Sequence, residues 1–292
     1  MRGAGTFAAP PGGETWRRVW ASRSALAGGC VLLLVGAACF VLPWLLGLDA
    51  TSTAPALQNR PPSAAHWFGT DGLGRDLFAR VLIGGQTSLL VGLAATLASV
   101  VIGVAYGALA GFYGGRVDEA MMRIVDFLYG VPYMFLVILV MLLFQDTARG
   151  QALPVFLALG LVQWLTMARI VRGEVLSLRE EAFVQAARAL GLSNARILLR
   201  HVLPNCLSPV IVYATLTVPT VIILESFLSF LGLGVELSWG QLAADGVVVL
   251  NPISSYWWLL LWPSLFLVVT LLALNFVGDG LRDALDPRSP SR

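Results

Sequence analysis

Uncharged apolar stretches alternate with short polar segments along this 292-residue chain. The first stretch, Ala25 to Leu48, runs 24 residues without a charge, enough for a helix to cross about 30 Å of hydrocarbon. The alternative, a cleaved signal peptide, has an apolar core of only about 7–15 residues, so the stretch reads as an uncleaved first span. Val81 to Gly115 contains 35 uncharged residues, roughly 50 Å as helix and too long for one upright crossing. That span is expected to end near Ala108 and continue as packed helix. Phe127 to Gln145, interrupted by Pro132, makes a third span, and Gln151 to Ala168 a fourth. Asn205 to Leu224, with Pro209 and Pro219, makes a fifth, and Trp257 to Gly278 a sixth. The pattern predicts an all-α integral membrane protein with six transmembrane helices within 25–278, between a loose tail at 1–24 and a charged tail at 279–292.

Smaller features refine this outline. Gly103, Gly107 and Gly111 recur every fourth residue, the small-residue spacing that lets transmembrane helices approach closely. Gly69 to Asp76 is glycine-rich but lacks the spacing of a dinucleotide loop and reads as a tight turn in which Asp and Arg pair. Glu225 to Tyr256 is too short and too rich in glycine for a full crossing, so it should lie at the interface or dip partly in, with Glu225 solvated. Trp239, Trp257, Trp258 and Trp262 gather around the last span, where an aromatic belt belongs.

The polar segment with the strongest helical signal is Arg169 to Pro204. On a helical wheel, Ala182, Phe183, Ala186, Ala187 and Leu190 share one face and Glu181, Gln185 and Arg188 the other. Gly191 ends this helix as a residue free to turn left-handed. Ser193 caps a second short helix, Asn194 to Val202, which Pro204 should separate from the next apolar run. A bent element of this kind can simply be an amphipathic hairpin lying on the bilayer surface.

Composition narrows the function. Hydrophobic residues make up 57% and charged residues 12%, far from a soluble domain, and a formal charge of +2 gives no reason to expect nucleic acid. All 19 basic residues are arginine, and without lysine the chain cannot form a Walker-type phosphate loop or a Schiff base. By loop, 15 arginines fall on the side of both tails and the bent element and four on the other. That asymmetry puts both termini and the bend in the cytoplasm. Cys30, Cys39 and Cys206 lack metal-ligand spacing and read as small packing residues. His66 and His201, the two histidines, fall on opposite sides, which disfavours a shared metal site or catalytic triad. No catalytic or metal-binding residues are expected.

The bent element resembles the coupling loop of ATP-binding-cassette importer permeases: Glu-Ala-Ala, three residues, Gly, nine residues, Ile, one residue, Leu-Pro. Ala186, Ala187, Gly191, Leu203 and Pro204 match at those spacings, while Gln185 replaces the acid and His201 the isoleucine. Gly69-Thr70-Asp71 with Gly74-Arg75-Asp76, Met167 to Gly173, Glu225 to Gly234 and Gly278 to Pro287 resemble the C-type permease subunit of oligopeptide or dipeptide importers. The resemblance covers nearly all of the chain from His66 to Arg288 and implies the six-helix type I importer fold in a bacterial inner membrane.

It further implies a second related permease, two ATP-binding subunits that use ATP and Mg, an extracytoplasmic peptide-binding protein, and alternating access. This chain would bind lipid but no cofactor of its own. Phe183 and Leu190 would make the apolar contact with the ATPase, with Glu181 and Arg188 at its rim. Gln163, Asn205, Tyr213, Thr217 and Thr220 are candidates to line the pathway, or serve only to hold helices together. A nickel or other small-solute permease of the same family, or a membrane scaffold without transport, stands as the alternative.

Overall fold

A computed structural model describes residues 22–144, 152–250 and 255–285, together with Arg17 and Trp20. Among these residues every regular element is a helix, and β-type pairing is limited to two isolated bridges, Thr70–Asp76 and Leu250–Ser255. Five helical runs are long and apolar enough to cross a membrane, and a bent pair makes a sixth when counted as one broken span. Most of the two tails, the expected turn at 146–150 and residues 251–254 lie outside the described residues.

α1 (Arg23–Phe40) begins at Ser22, whose hydroxyl accepts the Ala25 N–H, and runs into the short α2 (Leu42–Leu46), which stops at left-handed Gly47. α3 (Leu77–Tyr113) is capped by Asp76, whose carboxylate accepts the Ala79 N–H at 2.9 Å. Beyond Ala108 the chain continues as packed helix, as expected. α3 continues unbroken for 37 residues, roughly 55 Å, because its glycine seam lies flush on α6 (Ala152–Leu178) and burial replaces the lost lipid contact. A Cβ on Gly103 would stand 2.5 Å from Met167 Cβ, and one on Gly111 would stand 2.8 Å from the Arg172 carbonyl oxygen.

The third span differs most from expectation. Phe127 to Gly130 belong to α4 (Gly115–Gly130), an amphipathic helix set at 96° to α5 (Tyr133–Phe144). The turn falls at Val131–Pro132: Val131 is extended, as a residue before proline prefers, and Pro132 has no N–H to continue the ladder. The 12 described residues of α5 reach about 18 Å, and α4 and α5 together qualify as one broken span.

α6 also outruns its expected end at Ala168 by ten residues, to Leu178. Arg169 and Arg172 can stay helical because α4 supplies acids for both. Arg169 Nη2 lies 2.7 Å from Asp126, and Arg172 makes two bonds to Asp118, 2.5 and 2.6 Å long. The bent element therefore starts near Arg179 rather than at Arg169. Breaking the Arg172–Asp118 pair with Asp118→Ala should destabilise the α4–α6 contact by about 1–3 kcal/mol, less than a fully buried pair since Arg172 is partly exposed. The charge-swapped double variant should recover part of the loss in detergent thermal unfolding. A double variant no better than the single ones would show that the pair does not hold α4.

Nor does Pro204 separate two helices. α7 (Ala182–Ala189) leads through a corner to α8 (Asn194–Ile197), a π turn at Leu198–Val202, a 3-10 turn at Leu203–Cys206 and α9 (Leu207–Phe230). The whole run Asn194–Phe230 qualifies as one span. Pro204 sits in the first turn of the 3-10 segment, where an N–H would have no helical partner in any case.

Glu225 is fully buried, not solvated. α9 continues past it, and α10 (Trp239–Val248) docks alongside. Ser229 and Ser238 donate to its Oε1 at 2.9 and 2.7 Å. The short α10 is held by Trp239, whose indole N–H reaches the Val81 carbonyl at 2.8 Å and whose backbone N–H reaches Ser88 Oγ at 3.0 Å. The expected aromatic belt is thus partly interior: Trp239 and Trp258 are buried, Trp262 stacks on Phe68 at 4.0 Å, and Trp257 is exposed. α11 (Trp257–Leu285) passes the expected end at Gly278 and packs on α1, with Gly28 against the Ala273 carbonyl. Cys39 and Cys206 are buried as expected, whereas Cys30 is exposed; all three are free thiols.

Candidate functional site

The corner between α7 and α8 is built by backbone chemistry. Gly191 has φ +76, a region that costs glycine nothing. Its N–H donates to the Arg188 carbonyl at 2.9 Å and the Leu192 N–H to the Ala187 carbonyl at 3.2 Å. These are the two bonds of a Schellman motif, so the helix end is closed rather than frayed. At the other end, Val184 and Gln185 N–H groups donate to the Glu181 carbonyl, while Glu181 makes no side-chain cap bond.

α7 buries only one edge of the face the wheel singled out. Val184 and Ala187 are buried against Val175, Leu178, Ile197, Leu198 and Val202, with Phe183 partly buried beside them. Ala182, Gln185 and Ala186 are exposed, and Leu190 is 81% exposed. Val184 falls at the edge of the apolar arc, between Ala187 and Arg188, so a wheel split into one apolar and one polar face passes over it. That edge packs on the chain itself, leaving Leu190 and Ala186 bare. Arg188 is exposed and sets its guanidinium 5.9 Å from the Phe112 ring, within cation–π reach. Leu203 and Pro204 are half-buried in the turns leading to α9.

The corner is seated on the far end of α3. Arg179 Nη1 donates to the Gly111 carbonyl at 3.1 Å, Arg172 is clamped to Asp118, and Arg169 lies 4.0 Å over the Tyr129 ring. The bracing acids, Asp118 and Asp126, carried no signal in the sequence, since Asp118 and Arg172 are 54 positions apart.

The candidate pathway residues are not gathered at one surface. Gln163 is buried on α6. Asn205 donates its amide to the His201 carbonyl at 2.6 Å, Thr217 its hydroxyl to Tyr213 at 2.8 Å, and Thr220 to Leu216 at 3.0 Å. Thr217 is buried and Thr220 exposed; Tyr213 is half-buried beside Thr166, which bonds the Tyr129 hydroxyl. At the opposite end of α3, the Gly69–Asp76 turn forms as expected, with Arg75 Nε 2.7 Å from Asp71 and the Leu73 and Arg75 N–H groups on Asp71 Oδ1.

Comparison with known proteins agrees with this arrangement. Residues 103–289 match the family described as binding-protein-dependent transport system inner membrane component, and residues 10–62 match the N-terminal TM domain of oligopeptide transport permease C. The oligopeptide transport system permease protein OppC of Escherichia coli K12 is 48% identical over 277 residues, 93% of this chain and 89% of that one. The dipeptide transport system permease protein DppC of Bacillus subtilis is 44% identical over 279 residues, covering 94% and 85%. A chain of the inward-facing MetNI methionine ABC transporter superposes with a TM-score of 0.59 at 21% identity, covering 72% of this chain and 98% of that one. That likeness shows the fold, a type I ABC importer permease. With five membrane-length helical runs and a bent sixth pair among the described residues, a sealed glycine corner and this match over residues 103–289, the chain belongs to the binding-protein-dependent transport system inner membrane components.

Proposed function

We propose that this chain is the membrane subunit of an ATP-driven peptide importer, forming half of the translocation pathway and driven from its inner surface by a separate ATPase. The observation that carries the coupling role is the two-sided α7: Val184 and Ala187 anchor it, while Leu190 stands 81% exposed beside a closed corner. An exposed leucine on a rigid helix end is suited to a pocket on another protein. Ala182, Gln185 and Ala186 extend that exposed surface, Phe183 borders it, and Glu181 and Arg188 flank it. The arginine asymmetry of 15 to four supports a cytoplasmic corner and cytoplasmic termini.

The partners are a second related permease, two ATP-binding subunits that use ATP and Mg, and an extracytoplasmic peptide-binding protein. The peptide substrate rests on the relatives named for oligopeptide and dipeptide transport. Uptake of labelled peptides, compared with nickel, in a strain lacking this chain tests the substrate. Restored nickel uptake without peptide uptake would overturn it, and failure to copurify with an ATP-binding subunit would favour a scaffold.

Two substitutions on one helix test the coupling face. Leu190→Asp should insert and accumulate normally yet lower ATP-driven uptake about tenfold, the effect of losing roughly 1.4 kcal/mol at an interface. Val184→Asp puts a charge into the buried side, costs several kcal/mol, and should reduce the amount of protein in the membrane. Equal abundance and equal uptake of both variants would rule out this assignment of faces.

A further inference from the structure

At the end of α3 opposite the corner, two arginines and two acids surround a cleft of about 600 Å³ that borders Thr51, Arg75, Arg80, Glu236, Gln241 and Asp245. A smaller cavity of about 180 Å³, also bordered by Asp71, Arg75, Arg80 and Asp245, adjoins the same side chains. Arg80 is the unusual member. It is only 6% exposed, its Nε has no hydrogen-bond partner, and its nearest acid, Asp71, is 3.5 Å away. Asp71 is already committed: it accepts Arg75 Nε and two backbone N–H groups. That Nε is sealed against Asp71, which Arg75 also shares, so what Arg80 offers the cleft is the rest of a guanidinium whose charge is only partly matched, and a cleft of this volume is in the range that takes a small organic ligand.

The charge pattern selects the ligand. Glu236 is exposed, and Asp245 gives one oxygen to the Gln241 amide at 2.8 Å. These acids would repel a phosphate dianion, such as a lipid headgroup, from the same cleft. A molecule carrying both a carboxylate and an ammonium can meet both kinds of charge that line the cleft. We propose that this cleft binds the two charged ends of a short zwitterionic peptide, its carboxylate on Arg80 and Arg75 and its ammonium on Glu236 and Asp245. The site deepens the peptide-importer reading, on which it rests, by giving this subunit a docking point for free peptide termini at the end away from the ATPase.

The test separates binding from transport. Fluorinated alanyl-phenylalanine, its C-terminal amide and its N-acetyl form are titrated by fluorine NMR against the purified complete transporter without the binding protein. The wild type should bind the free dipeptide about tenfold more tightly than either blocked form, the scale of one charge-assisted contact. Arg80→Gln should abolish the preference over the amide, and Glu236→Gln the preference over the N-acetyl form. Arg80→Lys should retain part of the first preference, and because Glu236 is exposed its variant reads the site without a folding change. Equal binding of all three probes by the wild type, no binding at all, or unchanged preferences in the variants would overturn the proposal. Peptide uptake by the same wild-type transporter in proteoliposomes is scored separately. Uptake without termini-dependent binding sinks this site alone, whereas no uptake of any peptide sinks the importer reading and the site with it.

Discussion

Replacing Gly107 by alanine should leave little folded protein in the membrane. A Cβ there would overlap the Ala168 carbonyl oxygen and come within 3.0 Å of the Ala168 carbonyl carbon and the Arg172 nitrogen. All of these are backbone atoms of α6, so no rotamer change relieves the clash and the two helices must move apart. Overpacking a tight contact costs about 1–3 kcal/mol, occasionally more. Since α3 and α6 also carry the seat of the corner, the loss should spread to Arg172 and Arg179. Membrane abundance should fall about tenfold or more, and detergent thermal unfolding should occur at lower temperature. Gly173→Ala supplies the contrast: it lies on α6, the helix that Gly107 packs against, with nothing within 4 Å of its Cβ, and alanine favours a helix. It should be as stable as the parent. Matching behaviour of the two variants would mean that close approach along the glycine seam does not hold the bundle together.

Gly191→Val should give the opposite result, a protein that inserts in normal amounts but does not transport. Nothing lies within 4 Å of a Cβ at this position, so the effect is conformational, arising from φ +76. A side chain there costs about 1–2 kcal/mol, and valine is stiffer than most. That strain shifts the corner roughly tenfold toward conformers that lack the Leu192–Ala187 bond, and α7 then no longer holds a fixed angle to α8. Uptake should fall at least in that proportion, with normal copurification of the second permease. Gly191→Asn, which tolerates the left-handed region better, should lie between. Wild-type rates in Gly191→Val would show that the corner need not be rigid.

The parts of this fold legible in the sequence are those fixed by local chemistry. A run such as Ala25–Leu48 can hardly be anything but a span, and Gly191 announced its corner because few residues besides glycine end a helix that way. The glycines at 103, 107 and 111 likewise announced a close contact, though not with which helix. What escaped was set by distant partners. Hydropathy records whether a residue suits hydrocarbon, not where the chain goes, so Phe127–Gly130 were counted as span although Pro132 turns the path by 96°. Arg169 and Arg172 looked like the start of a cytoplasmic loop, because the acids that let them stay helical lie on α4. Glu225 looked solvated because Ser238, which bonds it, comes after a glycine-rich turn. The idle Nε of Arg80 is legible only once α10 is docked beside α3.

The make-up of the run between Leu192 and Leu231 has a mechanical consequence. From Asn194 to Phe230 the chain forms one span containing no glycine, and the residues that follow it, Gly232 and Gly234, border the charged cleft at the other mouth. Between its ends the run passes a π turn at Leu198–Val202, a 3-10 turn at Leu203–Cys206 and Pro219, and these are the points where a tilt imposed on one end would be absorbed before it reached the other. The stroke proposed at one mouth and the cleft at the other would then be linked through those three points, and stiffening them should tighten the link.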